Sequence, residues 1–126
     1  MGFNMILLDS SAVIDLFLGT PRGKKVREKM GTEPFGVTSI TVHEVLVGAK
    51  DKDVICAFFK SISVIPFDAD ASYKSVEIET SLRKKGLVLA KLDLFIASIC
   101  IEHNLLFVTT DADFKRVDGL RAIHIS

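Results

Sequence analysis

Five carboxylates in this 126-residue chain stand where a carboxylate needs a reason. Asp9 follows the apolar run Met5–Leu8 inside "NMILLDSSAVIDLF"; Glu44 sits in "ITVHEVLVG", Asp93 in "AKLDLFIASICIEHN", and Asp111 and Asp113 in "TTDADFKRVDG". Each has a local explanation. Asp9 is a favoured N-cap for a helix starting at Ser10 or Ser11. Thr41 and Glu44 have the spacing of a capping box, and Asp111 with Asp113 suits an Asx turn or a cap. Asp93 resists such treatment, because Leu92, Leu94, Phe95, Ile96, Ala97, Ile99, Cys100 and Ile101 clothe nearly the whole circumference of its helix. A helix apolar all round is buried. A first-turn acid gains only ~0.3–1 kcal/mol from the helix end, less than an unpaired buried carboxylate costs. Lys91, two residues away, does not face Asp93 on a helix.

Taken together, the acids point to chemistry. Two carboxylates at ~4 Å repel by about 4 kcal/mol at an effective dielectric near 20, so a converging set takes up protons or binds a cation. An all-oxygen donor set without Cys or His selects Mg²⁺ or Mn²⁺ over zinc. No rival site stands out. His43, His103 and His124 are scattered, there is no HExxH, and no glycine loop cradles a phosphate. An EF-hand fails as well, since Arg116 occupies its glycine position and Ala122 its terminal glutamate position.

The elements that position these residues follow from the apolar pattern. Strands are expected at Met5–Leu8, Gly36–Ile40, Ser63–Pro66, Leu105–Val108 and Ala122–Ile125. Helices are expected at Ser11–Leu18, Arg22–Met30, Thr41–Ala49, Lys52–Ser61, Ala71–Lys85 and Lys91–His103. Breakers at Gly19-Thr20-Pro21, Gly31 to Pro34, Pro66 and Gly86 separate them. Such alternation predicts an α/β fold with a mostly parallel sheet covered on both faces. Ligands of these sheets bind beyond the carboxyl ends of the strands. Asp9 and Asp111 both lie there, about a hundred residues apart in sequence.

Composition bounds the rest. The length suits one domain, 1–126. A 48% apolar and 25% charged makeup describes a globular chain. No apolar run nears the ~20 residues of a bilayer span. The start has no secretory pattern, and its Met-Gly has Ile6 where an acylation signal needs Ser or Thr. A cytoplasmic location is expected. Cys56 and Cys100 have no metal spacing and read as free thiols. Sixteen basic residues balance sixteen acidic ones, which excludes a grip on nucleic acid by overall charge alone.

At this point "LLDSSAVIDLF", "SITVHEVLVGA", "LVLAKLDLFIASICIEHN" and "LFVTTDADFKRVDGL" come into register with a known pattern. In this order, over almost the entire chain, they resemble the PIN domain, and within it the VapC-type toxins of prokaryotic toxin–antitoxin pairs. The resemblance implies a three-layer α/β/α sandwich with a central sheet of about five strands. It implies a Mg²⁺- or Mn²⁺-dependent ribonuclease, generally dimeric and held inactive by a small antitoxin. It assigns the acidic site to Asp9, Glu44, Asp93 and Asp111, with Asp113 auxiliary and Ser11 and Thr109 as supporting hydroxyls. Where this chain has Ser-Ser after Asp9, many relatives have Thr-Asn.

In that reading Asp9, Asp93 and Asp111 hold the metal, and Glu44 ligates through water or acts as a base. Arg22, Lys24, Lys25 and Arg27, with Lys29, are candidate contacts for RNA phosphates, and Arg83-Lys84-Lys85 forms a second basic cluster. Ile55, Phe58, Phe59 and Ile62 recur at helical spacing and read as core; Val54 and Ala57 leave room for a groove that takes a partner helix. Other classes are a receiver-type phospho-acceptor domain, a haloacid-dehalogenase-like phosphatase and a catalytically silent PIN-like binding module. A receiver wants paired acids after the first strand and a later Lys. The phosphatase wants a second Asp where Ser11 stands.

Overall fold

The computed structural model describes residues 5–126; the Met1-Gly2 opening lies outside them. The chain runs β1 (Ile6–Leu8), α1 (Ser10–Leu18), α2 (Pro21–Met30), β2 (Phe35–Thr38), α3 (Ser39–Gly48), α4 (Lys52–Lys60), β3 (Ser63–Ile65), α5 (Ala69–Lys84), α6 (Lys91–Glu102), β4 (Leu106–Thr109), a 3₁₀ turn (Ala112–Arg116) and β5 (Ala122–His124). The sheet order is β3-β2-β1-β4-β5, and every pairing is parallel.

Handedness then sets the layers. From β1 through β2 to β3 the chain steps one way across the sheet; from β3 to β4 it jumps back past β1. Right-handed crossovers in opposite directions put their helices on opposite faces. The strand pleat agrees: Leu7 and Phe107 pack with Ile78, Leu82, Leu94, Ala97 and Cys100 of α5 and α6. Ile6, Leu8 and Val108 face the other way, onto Ala12, Val13, Val26, Val45 and Phe59 of α1 to α4. The direction in which successive strands are added reverses between β1 and β4, and the crevice beyond their carboxyl ends is where this architecture binds ligands.

Element ends follow capping chemistry. Gly19 closes α1 at φ 65°, and Thr20 with Pro21 opens α2, the threonine hydroxyl accepting the Gly23 amide at 3.0 Å. Gly23 lets α2 lie against α1, since a Cβ there would run into the Asp15 carbonyl. Asp51 and Asp68 cap α4 and α5. The expected elements are all present, with one informative shift. The strand expected to reach Ile40 stops at Thr38, which caps a helix already under way at Ser39, so the helix starts two residues before Thr41. Both thiols are free, Cys100 being fully buried. No helix among the described residues is long and apolar enough to cross a membrane.

Candidate active site

Asp9 follows β1 directly, with 3% of its surface exposed. It occupies the N-cap position of α1, yet its side chain makes no cap bond to that helix's second or third amide. Instead the Ser11 hydroxyl donates to its Oδ2 at 2.9 Å and the Thr109 hydroxyl donates to the same oxygen at 2.7 Å. Both hydroxyls are themselves fed: the Asp111 amide donates to Thr109 Oγ1 at 3.0 Å and the Thr110 amide to Ser11 Oγ at 3.4 Å. Donor chains of backbone amide, hydroxyl and carboxylate thus hold Asp9 from the β4 side. The Asp9 amide reinforces them with a 2.9 Å bond to the Val108 carbonyl. Burial pushes the Asp9 carboxyl up from its ordinary range, against the pull of the Thr109 and Ser11 hydroxyls and the Ser10 amide; the charge on Asp111 adds to the rise.

Glu44 reaches this crevice from α3. It is not the third residue of a capping box, because Thr38 is the cap and accepts the Thr41 amide at 3.0 Å. Glu44 Oε1 accepts the Ser10 hydroxyl at 2.6 Å, across 34 residues of sequence. Asp111 does cap the 3₁₀ turn, accepting the Asp113 amide at 2.9 Å. Asp113 is exposed and paired with Arg116 at 3.2 Å, and that arginine also donates to the Val88 carbonyl at 2.9 Å. It is an outlying acid already balanced by a cation.

Asp93, in the first turn of α6, shows what the grouping means. Its neighbour Lys91 is engaged with Glu79 at 2.6 Å, and no cation among the described residues pairs with Asp93. Its carboxyl is pushed up to about 7, first by desolvation and then by the charges of Asp9, Asp111, Glu44 and Asp113. The other four acids therefore all act on Asp93. Negative oxygens with no resident cation in a half-buried crevice fit a hard divalent ion. Among the described residues no three His, Cys, Asp or Glu side chains are grouped so as to hold a metal ion together. An ion that keeps several waters tolerates that spread. Cys100 lies near enough for Asp9 to add to the effect of burial in raising its thiol, which leaves it inert.

The basic residues divide. Arg22 is tied to the buried Asp15 at 3.5 Å, while Lys24 and Arg27 are exposed on α2. Lys25 donates to the Ser126 carbonyl at 3.1 Å and, with Lys29 and His124, lines a hollow of about 190 Å³. His124 is the register partner of Thr109, and Glu28 shares the hollow with the two lysines. In the second cluster, Arg83 pairs with Glu79, which also holds Lys91, and Lys85 pairs with Asp118. Sequence reading missed Ser10 and Thr38, whose only signal was a hydroxyl beside a strand end.

A second concavity of about 560 Å³ opens between α1, α3 and α4, lined by Ile14, Phe17, Leu18, Val45, Val54 and Ile55, with Glu44 on its wall. Val54 is 54% exposed and Leu18 72%. The room expected beside Val54 exists, although Ala57 faces solvent elsewhere and does not line it.

A family model described as "PIN domain" matches residues 6–120. The chain is 27% identical over 123 residues to a "tRNA(fMet)-specific endonuclease VapC" of Shigella flexneri, covering 91% of this chain and 93% of that one. Among solved structures, VapBC2 of Rickettsia felis bound to a promoter DNA fragment superposes with a TM-score of 0.81 at 23% identity, covering 97% and 99% of the two chains. A toxin–antitoxin complex from Klebsiella pneumoniae gives 0.76 at 26% identity, covering 94% and 95%.

Proposed function

The chain belongs to the PIN domain family, and from that membership we propose that it is a divalent-metal-dependent endoribonuclease, the toxin of a VapBC-type toxin–antitoxin pair. Relatives named as an endonuclease and as a toxin–antitoxin complex, each similar over nine-tenths or more of both chains, support the activity and the pairing. One observation carries the chemistry: an Asp93 carboxyl with no cation partner, raised to about 7 first by desolvation and then by the charges of Asp9, Asp111, Glu44 and Asp113.

Asp9, Asp93 and Asp111 would hold the metal, in part through its waters, and Glu44 would ligate through water or act as a base. The metal is Mg²⁺ or Mn²⁺, as hard oxygen donors select. Such an ion supplies a water of lowered pKa and offsets charge on the phosphodiester. The protein's share is orientation: Ser11 and Thr109 fix the Asp9 plane, and Arg116 keeps Asp113 aside. Lys25 and Lys29, which share a hollow at the end of β5, are candidates to meet RNA phosphates. The α1/α3/α4 groove is the seat for an apolar helix or strap of the antitoxin. Tyr73 and Val76, 74% and 64% exposed one turn apart on α5, belong to the surface that a second copy covers.

Purified protein is expected to cut structured RNA with Mg²⁺ or Mn²⁺. Asp9→Asn and Asp93→Asn each lower the rate by at least about 100-fold, the scale of losing a metal ligand or its support. Undiminished cutting in excess chelator contradicts the proposal. Phosphoryl transfer to Asp9 instead reinstates the phosphatase or receiver class.

A further inference from the structure

We propose that Ser10 is a positioning residue for Glu44: its hydroxyl links the first strand–helix turn to α3 and sets the carboxylate in the orientation that metal binding and cleavage require. The structural basis is a one-way chain of donors. An ionised carboxylate can only accept, so the single Ser10 proton is committed to Glu44 Oε1 at 2.6 Å, a length in the range of charge-assisted O–H···O bonds. The Thr41 hydroxyl, 3.4 Å from Ser10 Oγ, then lies on its acceptor side. Thr41 in turn receives from the Thr38 hydroxyl at 3.2 Å, which accepts the Thr41 amide at 3.0 Å. Thr38 and Thr41 are fully buried, so bulk water cannot replace these links. Hydroxyls aligned in this way polarise one another toward the terminal acceptor.

Geometry explains why such a device is needed. Glu44 is only half-buried, on a helix whose start is fixed by Thr38 but whose second turn borders the open apolar groove. Its side chain has three rotatable bonds, and among the described residues Ser10 is its one hydrogen-bond partner. Asp9 has two hydroxyls and a strand end to hold it; Glu44 has Ser10. The two adjacent serines therefore split the work, Ser11 serving Asp9 and Ser10 serving Glu44.

This inference rests on the metal-nuclease reading, and its test separates the two. Mn²⁺ binding is measured by the electron paramagnetic resonance signal of free Mn²⁺, alongside RNA cleavage kinetics, for wild type, Ser10→Ala, Ser10→Thr and Thr41→Val. Ser10→Ala is expected to weaken Mn²⁺ binding by about 10-fold, and to lower kcat by a similar factor with KM for RNA unchanged. Ser10→Thr, which keeps the hydroxyl, returns both to within about 3-fold of wild type. Thr41→Val shifts both in the same direction as Ser10→Ala but by less, since it cuts the chain one link further back. Ser10→Ala with wild-type Mn²⁺ binding and kcat overturns the role of Ser10 while leaving the nuclease reading intact. A lowered melting temperature with unchanged Mn²⁺ binding overturns it too, because that is the mark of a packing role. Wild-type protein that neither binds Mn²⁺ nor cuts RNA removes both proposals together.

Discussion

At the level of single residues, the function turns on charges that the fold leaves unbalanced. Asp93, raised to about 7, carries the clearest signature. The unfolded carboxyl ionises near pH 4, and the folded one only near 7. Between those values the folded chain holds the extra proton, so metal-free stability falls as pH rises through this window and levels off above it. Melting curves in chelator from pH 4 to 8 should show that decline, and Asp93→Asn should flatten it while stabilising the metal-free protein at pH 8 by about 1 kcal/mol. Binding a divalent ion displaces the same proton, so affinity for Mn²⁺ climbs with pH up to about 7 and then plateaus. A pH-independent affinity across that range counts against Asp93 as a ligand. The acids were readable from sequence because strand ends and a buried helix make a carboxylate conspicuous. Ser10 was not, because its partner lies 34 residues away and a serine after an aspartate looks like any helix start.

Secondary-structure elements decide where those residues point. The all-parallel order β3-β2-β1-β4-β5 brings Asp9 and Asp111 to one crevice, and alternation of apolar runs was enough to expect that. The segment "TSITVHE" was harder: Thr and Ile favour strands, yet Thr38 turns into a cap and Ser39 into a helix. Two residues of misplacement there made Glu44 resemble half of a capping box when it is a second-turn side chain reaching across to Ser10. The five-residue 3₁₀ turn at Ala112–Arg116 is too short to leave a periodic signal. At Gly23, propensity and packing conflict. Alanine would favour the isolated helix by about 1 kcal/mol, but its methyl meets the Asp15 carbonyl, and overpacking costs about 1–3 kcal/mol. Gly23→Ala should therefore lower stability in chemical denaturation; a more stable variant would mean that α1 and α2 part more easily than their contact implies.

Across the whole molecule, the acidic crevice and the apolar groove share Glu44. Occupying the groove therefore has a direct route to the site, through the helix that carries one of its acids. Leu18 and Val54 are exposed enough to accept a charge without disturbing the core. The double variant Leu18→Glu/Val54→Glu should fold and cut RNA as wild type does, yet escape its cognate antitoxin, with affinity weakened at least about 100-fold on the scale of lost apolar anchors. Retained inhibition, read as residual cleavage against antitoxin concentration, would move the docking surface elsewhere. Zero net charge fits this division: acids that lack a cation gather at the strand ends, while Lys25 and Lys29 line a separate hollow on α2. Composition alone could say only that charge was balanced; its distribution needed the fold.

Anomalous diffraction from crystals grown with Mn²⁺ bears on all of this at once. A single strong manganese peak, or a close pair, should appear within ~2.0–2.4 Å of carboxylate oxygens from Asp9 and Asp93, with Asp111 beside it and Glu44 no more than one water away. A peak bound elsewhere, with Asp9 still held only by Ser11 and Thr109, would mean that these acids gather for reasons other than a metal.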